Sequence, residues 1–456
     1  MQLFMQLLMA ALLLFSCSAF ASGGADRADA PEGLQKVQHI VVIYLENHGF
    51  DNLYGTFPGA NGLAQAKNSP VQTDMVDQPY KVLPPVMNTD HKPMPEVDKR
   101  FPQDIPNGPF PIDRYVAADQ KIGDLVHRYY QNQMQINGGR NDHFAAISDA
   151  GGLAMGYYDG HTLPMWQYAS RYTLADNFFQ GAFGGSFLNH FWLVCACTPR
   201  FEHAPHDVTA DVDAKGVMVK DGGVTPDGYA VNTMQAATIP FKPGTPDAKR
   251  LPLQEMPTIG DRLTDKGISW AWYSGGWNDA ISGKPGKDFQ YHHQPFGYFK
   301  RYAEGTRERA THLQDEADFI KAIDAGQLPA VAFYKPIGEL NEHPGYASVM
   351  AGEKNTVALL QRIEKSPQWS DTVVIITYDE NGGFWDHVAP PLKDRWGPGT
   401  RIPTIIVSPY AKRGFVDHTE YDTTSILKLI ETRFNLAPLG ERDAKAGDLQ
   451  NALEFK

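Results

Sequence analysis

The stretch D-T-V-V-I-I-T-Y-D-E-N-G-G-F-W-D-H-V, Asp371 to Val388, decides the fold class. Its first eight residues are mostly β-branched and apolar, with no polar alternation, as a parallel strand covered on both faces requires. The run then passes directly into Asp379-Glu380-Asn381. His39 to Leu45 (H-I-V-V-I-Y-L) repeats the pattern and passes into Glu46-Asn47. Ile402 to Val407 and Pro329 to Phe333 read as further strands of the same sheet. Between them, Thr356 to Lys365 and Thr423 to Phe434 carry helical periodicity. The second of these opens on Asp422 as N-cap and places Ile426, Leu429, Ile430 and Phe434 on one face. Strands alternating with helices predict an α/β fold, a three-layer sandwich around a mostly parallel sheet. Residues 58–118 and 199–255 break the rhythm with Pro, Gly, Asn and Asp, and read as loop-rich insertions into a single domain over 22–456.

Side chains just past the carboxyl ends of parallel strands converge on one edge of the sheet. Glu46, Asn47, Asp379 and Glu380 therefore crowd together, and close carboxylates need a compensating cation. An all-oxygen set favours one hard divalent ion, Mg, Ca or Mn, over zinc. Gly184-Gly185-Ser186-Phe187-Leu188-Asn189-His190 is a glycine turn entering an apolar helix. Ser186 at that N-terminus sits where backbone N–H groups favour an anion, and an adjacent cation would activate its hydroxyl. The segment lacks the G-x-S-x-G elbow, which argues against a Ser-His-Asp hydrolase. His91, His143, His292, His293, His343 and His387 supply polar groups suited to phosphoryl chemistry.

The 456 residues carry 41 Lys plus Arg against 53 Asp plus Glu, a formal charge of −12, which argues against nucleic acid as a partner. The apolar run Leu7 to Phe15, followed by Ala19-Phe20-Ala21, reads as a secretory signal over 1–21, so the chain is expected to be exported, periplasmic or secreted. No other stretch is long and apolar enough for a transmembrane helix. Removal of the leader takes Cys17 with it. Cys195 and Cys197 flank one alanine, a small and strained ring, and are expected to remain reduced and buried.

Tyr44 to Asp51, Phe183 to His190, Glu342-His343-Pro344 and Thr377 to Val388, in this order, resemble the bacterial phosphoesterase family of secreted acid phosphatases and phosphatidylcholine-hydrolysing phospholipases C. The resemblance implies a core like that of alkaline phosphatase and arylsulfatase. It implies a metal held by Glu46, Asn47, Asp379, Glu380 and the nucleophile Ser186, and phosphate contacts from Asn189, His91, His293 and His343. A phosphorylated small molecule or a lipid head group is the implied substrate.

The Gly-Gly-Ser turn, and a chain ending soon after Phe434, favour the acid phosphatase branch over phospholipases with a G-P-T-x-P-N pattern and extra C-terminal domains. A sulfatase is excluded because neither Ser186 nor Cys197 begins a C/S-x-P-x-R motif. The expected chemistry is a two-step phosphomonoester hydrolysis through a phosphoseryl enzyme, with His343 or His293 protonating the leaving group. The alternatives are a phospholipase C, with a choline pocket drawn from Trp270, Trp272, Tyr273 and Trp277, and a non-catalytic secreted metal-binding protein.

Overall fold

The computed structural model describes residues 30–456. The expected leader over 1–21 lies outside the described residues. Eight strands make the central sheet: β1 (His39–Leu45), β2 (Thr173–Ala175), β3 (Trp270–Ser274), β4 (Leu313–Asp315), β5 (Val331–Lys335), β6 (Thr372–Tyr378), β7 (Thr404–Val407) and β8 (Phe415–Asp417), in the spatial order β4-β3-β5-β1-β6-β7-β2-β8. The principal helices are α1 (Pro164–Arg171), α2 (Ser186–Cys195), α3 (Glu316–Asp324), α4 (Val349–Lys365) and α5 (Thr424–Phe434).

β1 and β6 are buried almost end to end, as their unbroken apolar runs required. The sheet is covered on both faces. Neighbouring residues of a strand point oppositely, and Tyr273 packs on Phe319 of α3 while Trp272 faces His190 of α2. The fold is thus the expected α/β sandwich with helices on both sides of a mostly parallel sheet.

One strand departs from the parallel pattern. β7 pairs antiparallel with both β6 and β2. A parallel return needs a crossover, usually a helix, and residues 379–403 form none; the chain turns back at the carboxyl edge and re-enters the sheet from there. α4 begins at Val349 rather than Thr356, capped by Ser348 Oγ accepting from Ala351 N at 3.3 Å. Gly352 obscured that first turn. It is required there because a Cβ would come within 2.2 Å of Glu342 Cγ.

The cysteine expectation was wrong. Cys195 and Cys197 form a disulfide. α2 ends at Cys195, and Ala196 adopts a left-handed conformation (φ 48°) that swings Cys197 back until the two Cα atoms stand 5.1 Å apart, inside the span a disulfide bridges. Within residues 58–118 and 199–255 the regular structure is short, with hairpins at Met87–Asn88/Glu96–Val97 and Asp211–Val212/Met218–Lys220. No helix among the described residues is long and apolar enough to cross a membrane.

Candidate active site

β5, β1 and β6 are adjacent and parallel. The register sets Leu45 beside Tyr378 and Ile43 beside Tyr334, so Glu46, Asp379 and Lys335 emerge together at the carboxyl edge. Asn47 turns left-handed there (φ 61°), and its N–H donates to Asp379 Oδ1 at 3.2 Å. The Glu380 N–H donates to the same oxygen at 2.8 Å. Glu380 Oε2 accepts from Gly382 N at 2.5 Å. Gly382 itself has φ 62°, and any Cβ would sit 2.1 Å from the Asn47 carbonyl oxygen. The D-E-N-G-G sequence is therefore a tight turn that fixes both carboxylates against the end of β1.

α2 opens on Ser186, whose Oγ lies 3.3 Å from Glu46 Oε2, 3.3 Å from Glu380 Oε1 and 3.5 Å from Asn47 Oδ1. A hydroxyl has one proton and can satisfy one of these acceptors. Four buried oxygens converging on one point, with one proton among them, are what a hard cation resolves. The residues present fit a divalent metal ion. Gly184 and Gly185 serve a purpose the motif alone did not reveal. Their Cβ positions fall 2.4 Å from Tyr129 N and 2.5 Å from the His127 carbonyl oxygen, so they admit the His127–Tyr129 segment to the site. Asn189, expected at substrate, is fully buried. Its amide donates to the carbonyls of Ala182, Gly184 and Gly185, and its Oδ1 accepts from Ala182 N at 2.8 Å. It holds the glycine turn in shape.

The histidines separate. His293 is buried, with Nε2 in short contact with Glu46 Oε1. His343 lines the cavity, its Nδ1–H donating to Pro344 O at 2.5 Å, which leaves Nε2 free to face Glu46 Oε2 at 3.9 Å. His91 does not join them. It is exposed on the 87–97 hairpin and contacts Met94 O and Glu96, because the insertion holds it at the surface. His143 pairs with Asp77 and His387 with Asp51, both outside the cluster.

Sequence reasoning missed two residues at the centre. Lys335, completely buried at the end of β5, places Nζ 2.7 Å from Glu46 Oε1 and 3.4 Å from Asp379 Oδ2. His127 lines the cavity beside Ser186, with Nε2 3.7 Å from Glu380 Oε1 and 3.0 Å from Asn47 Nδ2. The signal for Lys335 was its position two residues past the strand read over Pro329 to Phe333. His127 lay in a stretch with no periodicity. Trp270, Trp272, Tyr273 and Trp277 are buried in the core and line no cavity at the site.

Burial raises the Glu380 carboxyl well above its usual range, with His127 opposing and Asp379 adding to the rise. Burial and the neighbouring Glu46 charge lift Asp379 to about 6 against the pull of Lys335. Burial would raise Glu46 too, but His293 and Lys335 hold it well below the ordinary carboxylate range. Burial pushes His293 down to about 4, against the opposing pull of the Glu46 charge. For His127, burial is outweighed by Glu380 and Asp124, which raise it to about 9. Its hydrogen bonds, Nδ1 to Leu125 O and Nε2 to the Asn47 amide, are nevertheless those of a neutral ring. A cation held at Glu380 would remove one of the charges that raise it.

Ser186, His127, His343 and Glu46 line a cavity of about 400 Å³, together with Arg128 and Tyr346. A larger groove of about 1160 Å³, bounded by Tyr129, Tyr130 and Phe183, contains none of them.

The chain is similar in sequence to known proteins. The chain is 26% identical to "Phospholipase C B" of Mycobacterium tuberculosis over 93% of this chain and 79% of that protein. It is 24% identical to "Non-hemolytic phospholipase C" of Pseudomonas aeruginosa over 92% of this chain and 58% of that one. Among solved structures, a protein in the alkaline phosphatase superfamily from Vibrio parahaemolyticus matches 64% of this chain and 65% of its own, with 12% identity and a TM-score of 0.34. The model of the phosphoesterase family matches residues 37–437. The chain belongs to the phosphoesterase family and is a hydrolase of phosphoric ester bonds.

Proposed function

We propose that this enzyme hydrolyses phosphomonoesters, with Ser186 as nucleophile. The observation that carries the proposal is the convergence of Ser186 Oγ with Glu46, Asn47 and Glu380 oxygens at the N-terminus of α2, inside a small polar cavity. Glu46, Asn47, Ser186, Asp379 and Glu380 would hold one divalent cation. When bound, that ion would lower the Ser186 hydroxyl pKa and neutralise phosphoryl charge.

The protein's own groups do the rest. Ser186 Oγ gives its proton to an adjoining carboxylate and attacks phosphorus; the bond to the ester oxygen breaks. His343 Nε2 faces the cavity and protonates that departing oxygen, with His127 as its neighbour on the same wall. Water then gives a proton to His343 and attacks phosphorus from the vacated side, the Ser186 ester bond breaks as its oxygen takes its proton back from the carboxylate, and phosphate leaves. Positioning and charge stabilisation supply most of the rate gain. His293, buried behind Glu46, orients that carboxylate and does not reach the leaving group. The Cys195–Cys197 disulfide supports export to an oxidising compartment.

A second reading, phosphodiester cleavage by a phospholipase C, is supported by the relatives' names. The groove beside Tyr129, which follows the cavity residue Arg128 in the chain, offers apolar surface for a lipid. The test compares kcat/KM on an aryl phosphate and on the corresponding aryl phosphorylcholine, for the native enzyme and Ser186→Ala. The monoester is expected to be the better substrate, and Ser186→Ala to lose about 10³-fold or more on both while keeping its Tm. A diester preference establishes the second reading; near-native activity in Ser186→Ala removes the nucleophile.

A further inference from the structure

The carboxylate cluster has two sides. On one, Ser186 Oγ, Glu46 Oε2, Asn47 Oδ1 and Glu380 Oε1 converge. On the other, Glu46, His190 and Asp379 bring one ligand atom each to within 4.8 Å of one another, a grouping with the composition and closeness of a second metal site. His190 supports this reading. It is completely buried, its Nδ1–H donates to Ser186 O at 2.7 Å, and Nε2 has no hydrogen-bond partner. Its own Nδ1 stands 3.9 Å from Asp379 Oδ2.

The second side already contains a cation. Lys335 Nζ forms an ion pair with Glu46 Oε1 at 2.7 Å, donates hydrogen bonds to the Leu45 carbonyl at 3.2 Å and to Asp379 Oδ2 at 3.4 Å, and lies 5.0 Å above the Tyr44 ring. Its side chain is wholly buried and meets two of the three members of that grouping. A buried ammonium is stable only where carboxylates and carbonyls take up its protons, and here they do. With all three carboxylates ionised and His127 neutral, one ammonium leaves two negative charges, the charge that a single divalent ion cancels.

We propose that Lys335 is a built-in cation that occupies the place of a second metal ion, and so sets the enzyme's metal stoichiometry at one. The inference rests on the metal-site reading above. Lys335 is a positioning residue: it fixes the Glu46 and Asp379 carboxylates so that their remaining oxygens face Ser186, and it touches neither substrate nor the reacting atoms.

The experiment measures bound Mn²⁺ per chain by equilibrium dialysis and elemental analysis, with thermal melts of metal-free and metal-loaded protein. Native enzyme, Lys335→Ala, which vacates the position, and Lys335→Met, which fills it without charge, are compared. The native chain is expected to bind about one ion, Lys335→Ala about two, and Lys335→Met about one. Metal-free Lys335→Met should lose several degrees of Tm that Mn²⁺ largely restores. Two ions on the native chain overturn the proposal, as does a single ion on Lys335→Ala. If Lys335→Ala cannot be recovered folded, the melts of Lys335→Met decide. Loss restored by metal supports the proposal, and equal loss with and without metal reduces Lys335 to a packing role. A native chain that binds no divalent ion removes the metal-site reading and this inference with it.

Discussion

Two buried acidic clusters flank the same turn after β6, and they are resolved in opposite ways. In one, Asp51 and Asp386 share Arg401. Its Nε donates to Asp386 Oδ1 at 2.8 Å and its Nη2 to both Asp386 Oδ2 and Asp51 Oδ1, at 3.1 and 3.2 Å. A further nitrogen donates to the Asp176 carbonyl at 2.6 Å, and His387 closes on Asp51. All four carboxylate oxygens of this cluster accept hydrogen bonds from the protein. In the other, Glu46, Asp379 and Glu380 share one ammonium and a serine proton, and Glu380 is held well above its normal pKa by burial. Buried acidity is therefore not by itself a sign of chemistry. What distinguishes the functional cluster is the charge the chain leaves uncompensated and the cavity that gives access to it.

Neutralising each cluster should separate them. Asp379→Asn and Glu380→Gln are expected to lower kcat/KM on an aryl phosphate on the order of 10³-fold. Their metal-free Tm should hold or rise, because an amide cannot take on the charge that burial penalises. A parallel loss of Tm and activity in both variants would make that cluster structural. Arg401→Met should do the reverse. Leaving Asp51 and Asp386 buried and unpaired costs about 3–5 kcal/mol, seen as a lower denaturant midpoint that added Mn²⁺ does not correct. A midpoint restored by metal would mean the Arg401 cluster also binds cations.

Acid should act on the functional cluster first. Asp379 titrates at about 6 and Glu380 well above the carboxylate range, so the metal-free site holds protons that metal must displace. Mn²⁺ affinity should weaken as pH falls from 7 to 5, by about tenfold per unit for each proton displaced, read by titration calorimetry. A pH-independent affinity would contradict the raised carboxyls.

The smallest effect concerns Glu353, buried beside Glu342 and raised to about 8 by burial. Its folded pKa lies above the unfolded value, so its contribution to stability is present at acid pH and is lost as pH rises through 8. Glu353→Gln should raise Tm by a few degrees at pH 8.5 and by less at pH 5.

The sheet and half of the site could be read because both depend on local pattern. Glu46, Asp379 and Glu380 follow unbroken apolar strands, and Ser186 follows two glycines at the start of an apolar helix. Lys335 follows a strand as well, but the strand was ended at Phe333, and lysines are rarely buried. His127 reaches the site only because Gly184 and Gly185 let its segment approach, a tertiary contact with no local signature. His91 failed for the converse reason: a short motif in an irregular insertion does not say which way it faces. The direction of β7 depended on a connection without a helix, and the Cys195–Cys197 disulfide on a single left-handed alanine. Neither leaves a periodic trace.

The most direct test is a rapid acid quench with a ³²P-labelled phosphomonoester and Mn²⁺-loaded enzyme, followed by peptide mapping. Label on the peptide containing Ser186, absent after chelation and absent in Ser186→Ala, is the predicted result. Turnover that proceeds at full rate with label on another residue would contradict the account.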